Sequence, residues 1–330
     1  MPWVDNSFLP YMKTALVSGG CGFIGSHLCD KLIKDEFKVI CLDNLITGSE
    51  NNIRQLLKNK NFQFIKHNVT EDLTHDIGDV HYVFHLASPA SPNHHSKISY
   101  HALGLETMMV NTIGTLKMLE IAEHNKARFL FSSSSEIYGD PLEHPQSEDY
   151  KGNTSTIGPR SVYDESKRFG ETITSFFQRK RNVDTRIARI FNTFGPRMQK
   201  QDKRMIVNFI LQALAHESIT IYGDGSQTRS LCYVDDLVEG LMRLMFTNKL
   251  SENVINLGNP IEHTVAEYAH MVKELTHSKS TIIMSESLHQ DDPKKRKPDI
   301  ERAKNLLDWT PTVSLETGLK KTIEYFVSLN

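Results

Sequence analysis

"LVSGGCGFIGSHLCDKL", residues 16–32, sets glycines at 19, 20, 22 and 25 between an apolar run and an amphipathic one. Gly20-x-Gly22-x-x-Gly25 satisfies the dinucleotide-binding spacing, and Gly19-x-x-Gly22-x-x-Gly25 fits equally well. Both patterns answer one physical need: a tight turn, a backbone that can touch a pyrophosphate, and helix N–H groups aimed at its charge. A glycine pattern alone is weak. Here a strand precedes it, a helix follows it, and the next apolar run, "VICLDN" (39–44), ends in Asp43. A carboxylate there can accept a hydrogen bond from a ribose 2′-hydroxyl and would repel a 2′-phosphate, so NAD is expected rather than NADP.

Working outward, short apolar runs recur at 14–19, 38–43, 62–69, 81–88, 127–133, 185–192 and 253–258. They are nearly continuous in Val, Ile, Leu and Phe, as strands covered on both faces are. Amphipathic stretches separate them. In 105–124, Met109, Ile113, Leu116 and Leu119 fall on one side of a helix at three- and four-residue spacing, which periodicity assigns equally to core or to an interface. The expected class is α/β: a Rossmann-like, doubly wound parallel sheet with a smaller, discontinuous C-terminal lobe. Residues 12–192 plus 231–260 are assigned to the NAD-binding domain, and 193–230 plus 261–330 to the lobe for the substrate.

Composition narrows the function classes. Among 330 residues 24% are charged and the net charge is −2, so neither a nucleic-acid surface nor a disordered acidic chain is expected. The four cysteines (Cys21, Cys29, Cys41, Cys232) show no metal or redox spacing, and His94, His95 and His101 form no ligand set, so no metal is expected. "MPWVDNSFLPYMK" lacks a basic start and apolar core, and no apolar run approaches the ~18 residues of a membrane span. A cytoplasmic protein without a membrane partner is the expectation.

"SSSSEIYGDP" (132–141) ends the fifth apolar run with hydroxyls and a carboxylate, and "SVYDESKRFGE" (161–171) follows. Tyr163 and Lys167 stand four apart and share one helix face. A cation ~5 Å from a phenol, at an effective dielectric of ~20, is worth roughly 3 kcal/mol, or about two pKa units. Lys167 and a positive nicotinamide are therefore expected to bring Tyr163 toward working pH, with Ser134 beside the same substrate oxygen.

With those residues in view, the chain resembles the extended short-chain dehydrogenase/reductases that act on nucleotide sugars. "GGCGFIGSHL", "LDNLITG", "HLASPASP", "VNTIGT", "YDESKR", "RIFNTFGPRM", "YGDGSQTRSLCYVDDLVEG" and "INLGNP" carry the resemblance over essentially the whole length. Within that family, "EIYGDPLEHPQSEDYKGN" and "QDDPKKRKPDIERAKNLLDW" are similar to the branch that decarboxylates UDP-glucuronate to UDP-xylose. All branches begin by oxidising the sugar C4 hydroxyl. The 4,6-dehydratases follow the catalytic hydroxyl with Asp-Glu, and the 4-epimerases usually lack the carboxylate. Here Ser135-Glu136 stands there.

The resemblance implies NAD contacts from Gly19, Gly22, Phe23, Ile24, Gly25, Asp43, Asn44, Thr47, Gly48, Asn68, Val69, Leu86, Ser88, Tyr163 and Lys167. It implies catalytic roles for Tyr163, Lys167, Ser134, Glu136 and Arg296, and UDP-sugar contacts from Ser135, Glu136, Asn192, Tyr222, Arg229 and Arg296. For Arg296 the alternative is a solvated basic run, Lys294–Lys297; for Glu136 it is a surface turn. Ser134 replaces the family's usual Thr, Asn68 its adenine-contacting Asp, and the His-rich stretch "PNHHSKISYHALGLETMM" is longer than the branch pattern. The resemblance also implies a homodimer through helices 105–124 and 163–180. A UDP-glucuronate 4-epimerase, a 4,6-dehydratase and a non-catalytic NAD-responsive binder remain as alternatives.

Overall fold

The computed structural model describes residues 12–285 and 295–329. Residues 1–11, which carry most of the stretch inspected for a leader, and 286–294, which open the branch-like tail segment and include Lys294, lie outside the described residues.

All seven expected strands are present: β1 (Thr14–Ser18), β2 (Lys38–Asp43), β3 (Phe62–Lys66), β4 (Tyr82–His85), β5 (Arg128–Ser134), β6 (Thr185–Ile190) and β7 (Val254–Leu257). They form one parallel sheet in the order β7-β6-β5-β4-β1-β2-β3. The order reverses at β1, and in such sheets ligands settle beyond the carboxyl ends of the strands at that reversal. Successive β1 residues go to opposite cores. Ala15 and Val17 pack with Leu28, Leu32 and Leu237 on one face, and Leu16 packs with Met118, Leu119 and Phe129 on the other. This is why the strands are apolar throughout rather than alternating.

Several strands stop earlier than the apolar runs do. β3 ends at Lys66, β4 at His85 and β6 at Ile190. The overshoot residues Asn68, Val69, Leu86, Ser88, Phe191 and Asn192 leave the ladder and wall a cavity instead. A run of apolar residues reports burial, not strand pairing, so the sequence alone does not separate the two.

Helix α1 (Phe23–Lys34) lies on one side of the sheet. On the other lie α2, residues 104–125 with one π-turn at Val110–Gly114, and α3 (Ser161–Arg181), packed side by side. The four apolar positions of α2 divide: Leu119 is buried and Leu116 packs against the core, whereas Met109 and Ile113 are exposed, and Thr107, Val110, Asn111, Gly114, Thr115, Met118 and Ala122 complete the inward face. The inward face is rich in small and polar residues where the helix comes close to the segment that follows β3: a Cβ on Gly114 would lie 3.1 Å from a Val69 methyl. Hydrophobic spacing alone therefore did not separate the packed positions from the exposed ones.

After β6 the chain forms short strand pairs above the sheet: Thr193–Phe194 with Cys232–Tyr233, Thr228–Arg229 with His263–Thr264, and Ile219–Tyr222 with Ile282–Ser285. Helices Met205–Leu214, Val265–Leu275 and Leu315–Ser328 pack together around them.

Candidate active site

Beyond the carboxyl ends of the strands lies a cavity of about 860 Å³, within the size range of ligand sites. One end is built by the glycine loop. Gly19 turns at φ +75°, where a Cβ would lie 2.6 Å from the Ala87 nitrogen, and a Cβ on Gly25 would lie 2.1 Å from the Gly19 oxygen. The loop thus fits only bare backbone, which is what close approach of a pyrophosphate to the start of α1 needs. We expect Gly25→Ala to destabilise the fold by about 1–3 kcal/mol and to weaken any dinucleotide binding there at least about tenfold. Thermal melting and NAD titration by tryptophan quenching check this.

Asp43, 8% exposed, is held by the Leu45 and Cys21 backbone N–H groups at 2.8 and 2.9 Å. Burial pushes its carboxyl above the usual range, and those two hydrogen bonds oppose the shift. Phe23, Ile24, Asn44, Thr47, Asn68, Val69, Leu86 and Ser88 line the same end with Gly19, Gly22, Gly25 and Asp43. Gly48 is off the wall; a Cβ there would fall 2.9 Å from Asp43 Oδ1, so its smallness serves the Asp43 carboxylate. Gln199 donates to the Thr47 carbonyl, tying the 199–204 segment to this end.

The other end lies where β5 finishes. Lys167 Nζ is buried, donates to the Ser132 carbonyl at 2.8 Å and lies 5.8 Å from the Tyr163 ring centroid. Burial pushes the ammonium down to about 7, against the pull of Glu171. Tyr163 is buried as well. Burial pushes its phenol up to about 12, the Ser134 hydrogen bond opposes this, and the Glu136 charge adds to it. In the protein by itself desolvation exceeds what neighbouring groups supply to the phenol; the sequence expectation concerns Lys167 acting together with a bound nicotinamide.

Glu136 sits in the short turn Ser135–Tyr138. Burial pushes its carboxyl up, but Arg296 and Arg160 outweigh burial and hold it down to about 2. Arg160 bonds its Oε2, Arg296 approaches it at 3.4 Å, and Arg296 also bonds the Ser135 and Gly139 carbonyls. Arg296 is 2% exposed, so the reading of a solvated basic run fails for that residue. Ser135, Asn192, Arg229 and Arg296 wall this part of the cavity, and Tyr222, 44% exposed, stands at its rim.

Sequence reasoning missed several neighbours. Tyr100 stacks on Tyr163 at 4.8 Å and 16°, and Arg160 anchors Glu136 from the residue before α3. His85 is buried with Nδ1 2.6 Å from Ser18 Oγ; burial, then the Lys167 charge, push it down to about 3, so it is neutral. The His94 and His101 rings stack at 3.6 Å. Among the described residues no group of three His, Cys, Asp or Glu could hold a metal ion. A Tyr-x-x-x-Lys match signals the helix face; nothing local in the sequence signals which loop packs onto it.

This glycine-loop sheet with a Tyr–Lys pair beneath a serine-lined strand end defines a dinucleotide-dependent enzyme class. The chain belongs to the family described as GDP-mannose 4,6 dehydratase, which matches residues 16–322. It is 49% identical over 315 residues to UDP-glucuronic acid decarboxylase 1 of Danio rerio, covering 95% of this chain and 72% of that protein. It is 48% identical over 326 residues to UDP-glucuronic acid decarboxylase 6 of Arabidopsis thaliana, covering 98% and 92%. Among solved structures, UDP-glucuronic acid 4-epimerase from Bacillus cereus, in complex with UDP-glucuronic acid and NAD, superposes with a TM-score of 0.82 at 29% identity, covering 96% of this chain and all of that one.

Proposed function

We propose that this chain is an NAD-dependent UDP-glucuronate decarboxylase that forms UDP-xylose. The observation carrying the reading is Glu136, following Ser135 at the end of β5 and clamped by Arg160 and Arg296 beside Tyr163. A dehydratase site needs an acid where Ser135 stands. The names of the half-identical relatives support the same reading.

NAD fits the residues present, because Gly19 and Gly25 leave room only for backbone and Asp43 is oriented by two N–H groups. The cofactor-side residues named above would hold it, with Asp43 at the ribose and Asn68 and Val69 at the adenine. When bound it supplies a reversible hydride acceptor for the sugar C4 and a positive charge beside the Tyr163 phenol.

Tyr163 takes the C4 hydroxyl proton, with Ser134 sharing the same oxygen and Lys167 holding positive charge below. Once C4 is a carbonyl, the sugar is a β-keto acid and loses CO₂, leaving an enolate across C4 and C5. Tyr163 and Ser134 hydrogen-bond the enolate oxygen, and Glu136 with Arg296 orders the carboxylate end. Arg229 pairs with the diphosphate, Asn192 contacts the sugar diphosphate and Tyr222 lies near the uracil. Residues 12–192 with 231–260 hold the dinucleotide, and 193–230 with 261–330 hold the sugar nucleotide.

The test is incubation with UDP-glucuronate, following CO₂ and identifying the product by NMR. UDP-xylose and CO₂ are expected. UDP-galacturonate without CO₂ would establish the epimerase reading instead, which the Bacillus cereus neighbour keeps in view.

A homodimer through α2 and α3 is part of the proposal. Leu105, Met108, Met109, Ile113, Phe169 and Phe176, all exposed, lie on these neighbouring helices. Such a concentration of apolar side chains suits a protein interface. Leu105→Glu with Phe169→Glu is expected to give a monomer in sedimentation velocity. The four buried free cysteines fit a reducing, cytoplasmic compartment, and among the described residues no helix is long and apolar enough to cross a membrane.

A further inference from the structure

The His-rich stretch 90–101 forms a strap along the cavity wall, and the mechanism above uses none of it. Ser91 pairs with Ser99, and the Tyr100 N–H donates to the Ser91 carbonyl at 3.0 Å, so the stretch closes on itself. Three side chains tie it to the lobe segment that follows β6. Ser91 Oγ donates to the Asp202 carbonyl at 2.9 Å, Asn93 Nδ2 to the Lys203 carbonyl at 2.8 Å and Ser96 Oγ to the Gln201 carbonyl at 2.6 Å. Arg204 donates in the other direction, to the Ala90 carbonyl at 2.8 Å. Both segments wall the cavity.

Tyr100 is where this strap reaches the Tyr–Lys pair. It is 1% exposed, its ring stacks on that of Tyr163 at 4.8 Å and 16°, and the Arg160 guanidinium stands 6.0 Å from its centroid. The last torsion of an aromatic side chain is broad, so α3 sets where the Tyr163 ring begins but a neighbouring surface must set its plane. A stacked ring does this, because aromatic pairs have a preferred geometry. The Tyr100 hydroxyl is buried and has no hydrogen-bond partner among the described residues. What the side chain offers Tyr163 is therefore the flat face of its ring.

We propose that Tyr100 is a positioning residue for C4 oxidation: its ring fixes the plane of Tyr163 and keeps water from that face, and the latch to residues 201–203 holds the strap where the stack forms. Order in the 201–203 segment and alignment of Tyr163 are thereby coupled. Tyr100 acts through Tyr163 and takes no part in proton or hydride transfer. The inference rests on the reading of Tyr163 as the C4 base.

The test uses full-length protein with NAD and UDP-glucuronate, following NADH absorbance in a single turnover, which reports C4 oxidation ahead of CO₂ loss. Tyr100→Leu keeps apolar bulk without a flat ring; it is expected to slow NAD reduction at least about tenfold while the UDP-glucuronate Kd changes less than about threefold. Tyr100→Phe keeps the ring and is expected to restore at least about half the wild-type rate. A merely structural role would leave the pH profile in place. Around the phenol stand Ser134 and Glu136 from the end of β5, Asp164 and Lys167 on α3, and Arg204 from the lobe segment, and burial raises it most. Water admitted at the uncovered face is expected to move the acid limb of the rate profile to lower pH in Tyr100→Leu and not in Tyr100→Phe. Ser91→Ala with Ser96→Ala removes two latch bonds without touching Tyr100, and is expected to move the limb the same way with a smaller loss of rate. An unmoved limb in that latch variant would overturn the coupling. NAD reduction at the wild-type rate in Tyr100→Leu would overturn the proposal, and so would Tyr100→Phe being as slow as Tyr100→Leu, which would assign the effect to the hydroxyl. If Tyr163→Phe reduces NAD at the wild-type rate, the reading of Tyr163 as the base fails, a result separate from these.

Discussion

Tyr163→Phe is expected to lower turnover of UDP-glucuronate by at least about 10³-fold while leaving NAD affinity within about twofold, because the proposed mechanism uses the residue as its proton acceptor. The phenol is buried at the meeting of the Ser134 hydroxyl and the Lys167 ammonium. The phenyl ring retains the stack on Tyr100 at 4.8 Å, so the fold should be unaffected. Single-turnover measurement of NADH absorbance separates the outcomes. A variant that still reduces NAD at the wild-type rate would remove Tyr163 from the chemistry.

The second large effect belongs to Glu136. Replacing it by Gln keeps the shape but leaves Arg160 and Arg296 without their shared counter-charge, and Arg296 has almost no access to water. CO₂ release is expected to fall at least about 10²-fold, and stability by about 3 kcal/mol, the low end for a broken buried pair. The low end applies because the Glu136 side chain is 18% exposed. The pH dependence has a definite sign. The carboxyl is held down to about 2 in the folded state, below its ordinary value of 4.5. Its stabilisation is therefore complete above about pH 4.5 and is lost as pH falls through about 2. Melting curves between those limits should fall less steeply for the Gln variant than for the wild type; equal slopes would show that the clamp contributes nothing.

Much of the site was legible because its signals are local. The Gly19–Gly25 spacing, Asp43 at a strand end, and Tyr163 four residues before Lys167 each encode geometry within a single turn or helix. What was illegible depends on approach between distant segments. Hydrophobic spacing did not resolve the buried face of α2: Leu119 is buried, but close packing favours Gly114 and Thr115 over Met109 and Ile113. Tyr100 and Arg160 gave no signal, since their partners lie on other elements. In the protein by itself burial pushes the Lys167 ammonium down and the Tyr163 phenol up, a desolvation that depends on segments packed from elsewhere in the chain.

From the order of its residues alone, the chain determined an α/β sheet, the glycine turn for a dinucleotide and the Tyr–Lys helix face, because each rests on contacts a few residues apart. Only the tertiary structure decided that Arg296, 160 residues from Glu136, is buried against it rather than solvated. Burial and charge compensation are properties of the assembled neighbourhood: a guanidinium leaves water only where a carboxylate and carbonyls from other segments are already in place to receive it.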